Sequence, residues 1–509
     1  MREDARLVNA FAEKAGTGEL HVYKRPGTEV HTTLSGAGRG LFNWNGDIFA
    51  VFGAALYKNG VSLGAVAAAG GDFTFSSTLG ETPTLFLKNT TNAYTYNTTD
   101  GLDAVVAATT YSVTGDTHAT VTIDGILPNT TGFVADASIE GSGIPGFAYI
   151  VSVDSASAIT ISEATTSTLN DTPLTVVTPG YHAATVPGQV YLDATTYVMD
   201  SSARIYGSEL NDCTTWDALN NLVAQIEPDG GVALAKQLVY VVAFKGLSTE
   251  VFFDKANAVG SPLGTVQGAK INHGCRDAGT VQDLDGTLFW VSQTKNGTVA
   301  VHSLEGLKAQ PVGSPSVDRL LQASDFTGCY SLSLKLGGHK FYVLTLPASN
   351  VTLALETTSG IWSQWTDVSG NYFPFNHNAA TSDQEVLLQH VSDGKLYTFS
   401  LENTNDAGAV IPVDIYSPNW DGQTSIRKYV RRLDFVGDHT PGCMLYVRFN
   451  DSDYRHDRWT NYRVVDMSVS RPNLRECGTF SRRAFHIRHT ADTPLRLEAI
   501  EAHLLLGET

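Results

Sequence analysis

The stretch Leu238–Phe253, LVYVVAFKGLSTEVFF, decides the fold. Leu238 to Phe244 is an unbroken apolar run, Lys245-Gly246 turns it, and Thr249 to Phe253 resumes it. A short apolar run bounded by turn residues reads as a strand buried on both faces, and two in succession read as an antiparallel hairpin. Further along, Asp285-Gly286 delivers a third strand, Thr287 to Ser292, containing Leu288, Phe289, Trp290 and Val291. Asn296-Gly297 then folds the chain back along Thr298 to His302.

One small sheet buries too little to stand alone, so the unit must recur. Similar apolar hairpins begin near Leu41, Thr84, Tyr191, Leu238, Thr287, Lys340 and Val386, spaced by 43 to 53 residues except for one interval of 107. Removing the block Val113 to Thr178, 66 residues of foreign composition, reduces that interval to 41. A period of about 40 to 50 residues with about four short strands per unit is the pattern of propeller blades. The expected fold is all-β: a propeller of six or seven blades over 41–112 and 179–425, an inserted small β-sandwich at 113–178, and a C-terminal β-sheet or sandwich at 426–509. Nine Asn-Gly or Asp-Gly dipeptides, from Asn45-Gly46 to Asp421-Gly422, supply tight hairpins. Only Asp217 to Val223 and Ser316 to Gln322 read as short helices.

The formal charge of −18 is unevenly placed. From Ile426 onward there are 14 Lys or Arg against 11 Asp or Glu, which leaves 20 basic and 41 acidic side chains in the first 425 residues. Most of the chain therefore repels phosphate, the opposite of the basic footprint of a protein that grips nucleic acid. Cys213, Cys275, Cys329, Cys443 and Cys477 are odd in number and far apart, which suits reduced thiols in a protein made in the cytoplasm. The start, Met1 to Lys14, carries Arg2, Glu3, Asp4 and Arg6 and lacks the apolar core of a signal peptide. No apolar run approaches the roughly 20 residues of a membrane helix.

Residues 1–40 read as an extended arm leading into the first blade: Asn9-Ala10-Phe11-Ala12-Glu13, then Tyr23-Lys24-Arg25-Pro26-Gly27, then Gly36-Ala37-Gly38-Arg39-Gly40. The order Asn9, Glu13, Pro26, Gly27, Arg39, Gly40, followed by a hairpin from Leu41 to Tyr57, resembles the opening of the tail hub or nozzle proteins of short-tailed bacteriophages, also called packaged-DNA stabilisation proteins. Arg204 to Ser208, Trp216 to Asn220, Ile226 to Gly230, Ser248 to Phe253, Gly274-Cys275, Gly360 to Trp365 and the sheet from Tyr429 to Leu506 are similar to that family in the same order. The resemblance implies a non-enzymatic virion protein of the phage tail. It would form a homo-hexameric ring below the portal and its adaptor, the head-to-tail connector. A tail needle or plug would sit at the far end, a tailspike or fibre at the side, and DNA would pass through transiently. No cofactor, metal or catalytic residue is expected.

In Val113 to Thr178, 20 of 66 residues are Ser or Thr, and Lys, Arg, Trp, Cys and Met are missing. Gly141 to Pro145, Val151 to Ser162 and Ala164 to Thr168 resemble a small β-domain grafted onto various phage virion proteins. Alternation at Ile159 and Ile161 and around Val121 and Ile123 suggests a two-sheet sandwich. Residues 89–203 hold 11 acidic side chains and no Lys or Arg. This composition suits a solvated, projecting lobe or, alternatively, a surface for a fibre or a host glycan. In the C-terminal region Arg427, Arg431, Arg432, Arg448, Arg482 and Arg483 form a candidate docking face for an acidic protein surface or, secondarily, for phosphate.

Alternative functions are a glycan-binding or glycan-cleaving propeller and an adhesion module built on the inserted domain. Trp216, Trp365 and Trp459 follow polar turns at Asn211-Asp212, Thr357 to Gly360 and Asp451 to Asp453. The turns resemble the Asp boxes of sialidases, and Tyr23-Lys24-Arg25-Pro26 is a near miss to a sialidase Phe/Tyr-Arg-x-Pro motif. Binding a sialic-acid carboxylate takes converging arginine forks, and the blades offer only Arg39, Arg204, Arg276 and Arg319. His273-Gly274-Cys275 and His486-Ile487-Arg488-His489 are the close groupings of metal-type ligands. On a strand, residues three apart face opposite sides, so His486 and His489 should not share an ion.

Overall fold

The computed structural model describes residues 6–16, 18–257, 260–266, 268–452, 455 and 458–506. Arg2, Glu3 and Asp4 of the charged start, and Asp453 of the third polar turn, lie outside the described residues. The chain is built of strands, with one α-helix, Pro315–Gln322, among the described residues. That helix is the one expected from Ser316; Ser314 caps it, its hydroxyl accepting from the Val317 amide at 3.3 Å. The other expected helix is absent. The Asp217 carboxylate accepts from the Leu219 amide, holding a turn that feeds the strand Asn221–Val223.

Seven antiparallel sheets follow one another, at 38–65, 74–104, 190–223, 231–265, 274–311, 330–364 and 375–400, and each contains one of the seven hairpins expected from the sequence. They are numbered here as blades 1 to 7. The inner strand of each blade, Gln282–Leu284 in blade 5 and the first strand in the others, touches that of the next, and Phe375–Ala380 of blade 7 returns against Gly38–Trp44 of blade 1, closing a β-propeller. Between every pair of neighbours lies an apolar cluster. Tyr197, Met199 and Ile205 of blade 3, for example, meet Leu234, Val241 and Ala243 of blade 4.

This arrangement explains the unbroken apolar run. On the strand Tyr240–Lys245, Val241 and Ala243 face blade 3 while Val242 and Phe244 face blade 5, so successive side chains are all buried. The run begins two residues later than its hydrophobicity suggests. Leu238, at φ +51°, and Val239 form the tight turn before it, and both are 62% exposed.

Amide side chains stitch the blades together. Gln189 donates to Phe86 O (blades 3 to 2), Gln237 to Leu304 O (4 to 5), Gln282 to Ser331 O (5 to 6), Asn378 to Ser333 O (7 to 6) and Gln389 to Val51 O (7 to 1). Gln389 also accepts from the Gly40 amide at 2.9 Å. A Cβ at residue 40 would stand 2.8 Å from the Phe75 ring, which accounts for the glycine.

The first forty residues do more than lead in. Gly27–Thr33 is the fourth strand of blade 7, pairing with Lys395–Ser400. Arg6–Val8 lies between Ile361–Gln364 of blade 6 and Val413–Tyr416, so blade 6 and a C-terminal sheet become one nine-stranded sheet. Ala10–Lys14 and Leu20–Lys24 join Arg496–Leu506 and Lys428–Gly437 in a second sheet. Open strand edges need partners, and the apolar side chains of the arm need cover; this placement supplies both. The C-terminal region is thus a sandwich, with Val430, Leu433 and Phe435 of one sheet packed on Leu445, Val447 and Ile487 of the other. Val413–Tyr416 belongs to it, which moves its boundary ahead of residue 426.

The inserted lobe spans 110–177, starting three residues before its change in composition. Its expected two sheets are one six-stranded sheet rolled up: the edge strands meet through a Ser138–Tyr149 bridge, around a core of Ile123, Ile139, Ile150, Ile159 and Val176. Register shifts near Gly115 and Ser152 supply the bends that curl it. The five cysteines are free.

The Thr109 amide and the Thr178 hydroxyl are bonded at 2.9 Å, so the two ends of the lobe are adjacent. Replacing 110–178 with a short Gly-Ser link should leave a soluble propeller with a cooperative thermal transition. A deletion variant without one, in calorimetry, would show that the lobe is part of the propeller core.

Candidate functional site

The inner strands of the seven blades converge around a cavity of about 920 Å³. Asp72, Asp277, Asp283 and Lys236 are the Asp, Glu, Lys and Arg side chains of its lining. Each has a structural engagement. Asp72 lies 3.8 Å from the His377 ring, Asp277 caps a short 3-10 turn by accepting from the Gly279 amide, Asp283 accepts from the Gly286 amide, and Lys236 donates to Tyr191 O. Burial raises the Asp283 pKa and lowers that of His377. The arginines that a sialidase reading requires are elsewhere. Arg204 bonds Asn221, Arg276 bonds Gln293, and Arg319 donates to Pro315 O within its helix. The volume suits a small molecule, and a DNA duplex cannot thread it.

The residues of the expected N-terminal motif sit in two clasps, the first of them completed by Arg25. In the first, Asn9 and Arg25 lock the arm between blade 6 and the terminal sandwich. The Asn9 side chain donates to Thr366 Oγ1 and Pro412 O and accepts from Arg25 Nε at 3.0 Å and from the Thr366 amide at 2.8 Å. The buried Arg25 fork pairs with both oxygens of Asp406, at 3.1 and 2.5 Å, and donates to Pro26 O and Thr366 O. Gly27 leaves room for the carbonyls of Asn403 and Asn405, and Glu13 stands beside His339. In the second clasp Arg39 gives its guanidinium to the carbonyls of Gly53, Ala67 and Gly71, above the Phe73 ring. Arg25, the near miss to a sialidase arginine, is a structural cation. Asp406, Thr366 and Gln389 escaped the sequence reading; the legible trace was a polar amide inside an apolar strand, Val386-Leu-Leu-Gln389, which a fold tolerates only with partners.

The candidate docking face divides. Arg483 cannot take part: it is 2% exposed, held by Asp451 at 2.7 Å through two nitrogens and sandwiched between Phe449 and Phe480. Arg448 is turned inward over Trp459 and Tyr462 and donates to His486. Arg432 pairs with Asp434. Arg427, Arg431 and Arg482 are exposed.

The remaining ligand-type groups are accounted for locally. His486 is held between Asp414, at 2.7 Å, and Arg448, while His489 bonds Met444 O and Thr493, so the two do not converge. His273 stacks on His302, whose pKa burial and this neighbour push down to about 4; Cys275 bonds Asp277 O. Asp434, Glu501 and His503 could bring ligand atoms within 4.8 Å of one another, but the Arg432 guanidinium already bonds Asp434 and His503 there. Trp216 donates to Cys213 O and packs on Phe86 and Tyr181; Trp365 packs on Phe341, Phe373 and Phe399. Both anchor blades.

The arginines at the two clasps of this closed propeller are engaged in joining its parts. Residues 137–381, just under half of the chain, match the family described as Bacteriophage P22 Gp10, beta-propeller, and the match supports a phage structural tail protein. The matched span runs from the lobe into blade 7, so Asn9, Glu13, Pro26, Gly27, Arg39 and Gly40 lie outside it. No curated protein matches. Similar solved structures include the computationally designed Ika8 protein (12% identity, 73% of this chain and 99% of that one, TM-score 0.34). BamB from Moraxella catarrhalis (10%, 72% and 97%, 0.35) and virginiamycin B lyase from Staphylococcus aureus (6%, 73% and 99%, 0.37) are others. No helix among the described residues is long and apolar enough to cross a membrane.

Arg25→Met should destabilise the protein by about 3–5 kcal/mol in urea unfolding, because Asp406 and Asn9 lose their buried partner. Arg25→Met/Asp406→Leu should recover part of that loss.

Lys88 gives a pH test. Its ammonium is buried among neutral partners, Thr185 Oγ1 and Val186 O, and burial lowers its pKa from 10.5 to about 7. Unfolding therefore takes up a proton between about pH 7 and 10.5, and this group's penalty is largest below pH 7 and relieved as pH rises. Relative to Lys88→Met, the wild type should gain up to about 1.4 kcal/mol per pH unit across that window. A stability difference independent of pH from 7 to 10 would show that Lys88 titrates normally.

Proposed function

We propose that this chain is the tail hub or nozzle, assembling as a ring below the portal and its adaptor, where it retains packaged DNA and later conducts it during ejection. The observation that carries this reading is the match of residues 137–381 to the Gp10 propeller family. The cavity of about 920 Å³ inside one propeller is too small for a duplex, so in this reading the channel lies between copies. The charge supports it as well. A wall rich in carboxylates keeps a polyanion moving, whereas cations at each phosphate would make it stick.

In this reading the chain forms a homo-hexamer, contacts the adaptor on one side and a tail needle or plug on the other, and carries a tailspike or fibre laterally. Mass photometry of the full chain, alone and with its adaptor, should show a species near six times the 54.6 kDa protomer. A protein that stays monomeric with adaptor present and cleaves a fluorogenic sialoside would replace this reading with a glycan-cleaving propeller.

A further inference from the structure

We propose that copies of this chain join head to tail, the acidic lobe of one seated on the arginine-lined sheet edge of the next. The inference rests on the ring reading above and names the surfaces that would build the ring.

The lobe is charged without internal compensation. Residues 89–203 contain 11 acidic side chains and no Lys or Arg, and Asp124, Asp136, Glu140, Asp154, Glu163 and Asp171 are exposed on the lobe itself. Where these carboxylates bond within the lobe, their partners are an imidazole or hydroxyls: His118 for Asp124, Ser152 and Thr160 for Asp154.

The complementary surface is on the terminal sandwich. The strand Lys428–Gly437 is flanked on its outer side by the short strands Asn473–Arg475 and Thr479–Phe480, which end that sheet. Arginines line this edge. Arg432 is paired in register with Arg475, Arg463 donates to the carbonyls of Arg475 and Glu476, Arg427 bonds Thr479, and Arg431 accepts from the Glu476 amide through its carbonyl. Arg431, Arg471 and Arg475 have no carboxylate partner among the described residues. An exposed row of arginines guards a sheet edge against strand addition; the same row attracts a dense anionic surface.

Position makes the pair useful. The lobe leaves the propeller between blades 2 and 3, with Phe147 beside Gly260 at the rim of blade 4. The sandwich is joined to blade 6 through Arg6–Val8. Three blades separate the two attachment points in either direction around the propeller, so the lobe and the sandwich are attached on opposite sides of it. A head-to-tail ring requires two different complementary patches placed in that way, whereas a two-fold dimer uses one patch twice.

The test uses the full chain in two charge-reversed forms, Asp124→Lys/Glu140→Lys/Glu163→Lys and Arg431→Glu/Arg471→Glu/Arg475→Glu, with folding checked by thermal melts. In mass photometry at low salt the wild type should assemble, and each variant should require about tenfold more protein, or higher still, to do so. Mixing the two variants should restore assembly, because the reversed lobe meets the reversed edge. Added salt should weaken the wild-type ring. An assembled wild type indifferent to both sets of substitutions overturns the proposed surface alone and leaves the arginines as guards of the edge. A wild type that never assembles, with or without adaptor, overturns the ring reading and this surface with it.

Discussion

Every blade of this protein has two apolar faces and can hide neither by itself. A strand such as Tyr240–Lys245, buried on both sides, is stable only while blades 3 and 5 stand against it, and the same holds around the circle. The array therefore has to close, and closure requires the two ends of the repeat to meet. Gly27–Thr33 does this by completing blade 7 from the N-terminal side, while Gln389 and Asn376 tie blade 7 to the backbone of blade 1. The hydrophobic effect sets the demand, and a few directed hydrogen bonds fix the register in which it is met.

The arm that closes the ring also welds it to the terminal sandwich. Because Arg6–Val8 is hydrogen-bonded on both sides, blade 6 and the sandwich share one continuous sheet and cannot rotate freely. The buried group of Asn9, Arg25, Thr366 and Asp406 lies at this joint. A buried cation is tolerable there because each of its donors has an acceptor, which makes the joint specific as well as tight.

The lobe answers to different constraints. It has its own core, adjacent ends and a hydroxyl-rich composition, so it can be inserted between two blades without disturbing the ring. Lys and Arg are missing from residues 89–203, so its negative charge is not neutralised within the lobe. The same separation appears in the arginines of the sandwich: Arg483 and Arg448 are spent internally, whereas Arg431, Arg471 and Arg475 are left at an open edge.

The repeat, the all-β class, the inserted block and the acidic balance were legible in the sequence because each is written locally, in apolar runs, turn dipeptides and composition. The spacing of Leu41, Thr84, Tyr191 and the later hairpins was enough to place one in each blade. What tertiary structure alone decided was where the ends go and which charges remain available. Nothing near Arg6, Gly27 or Val413 shows that they share sheets with strands hundreds of residues away, since pairing of open edges is set by which edges remain when the ring has formed. Arg483 and Arg431 look alike in the chain. Burial between two phenylalanines separates a structural cation from a surface one, and that depends on partners distant in sequence.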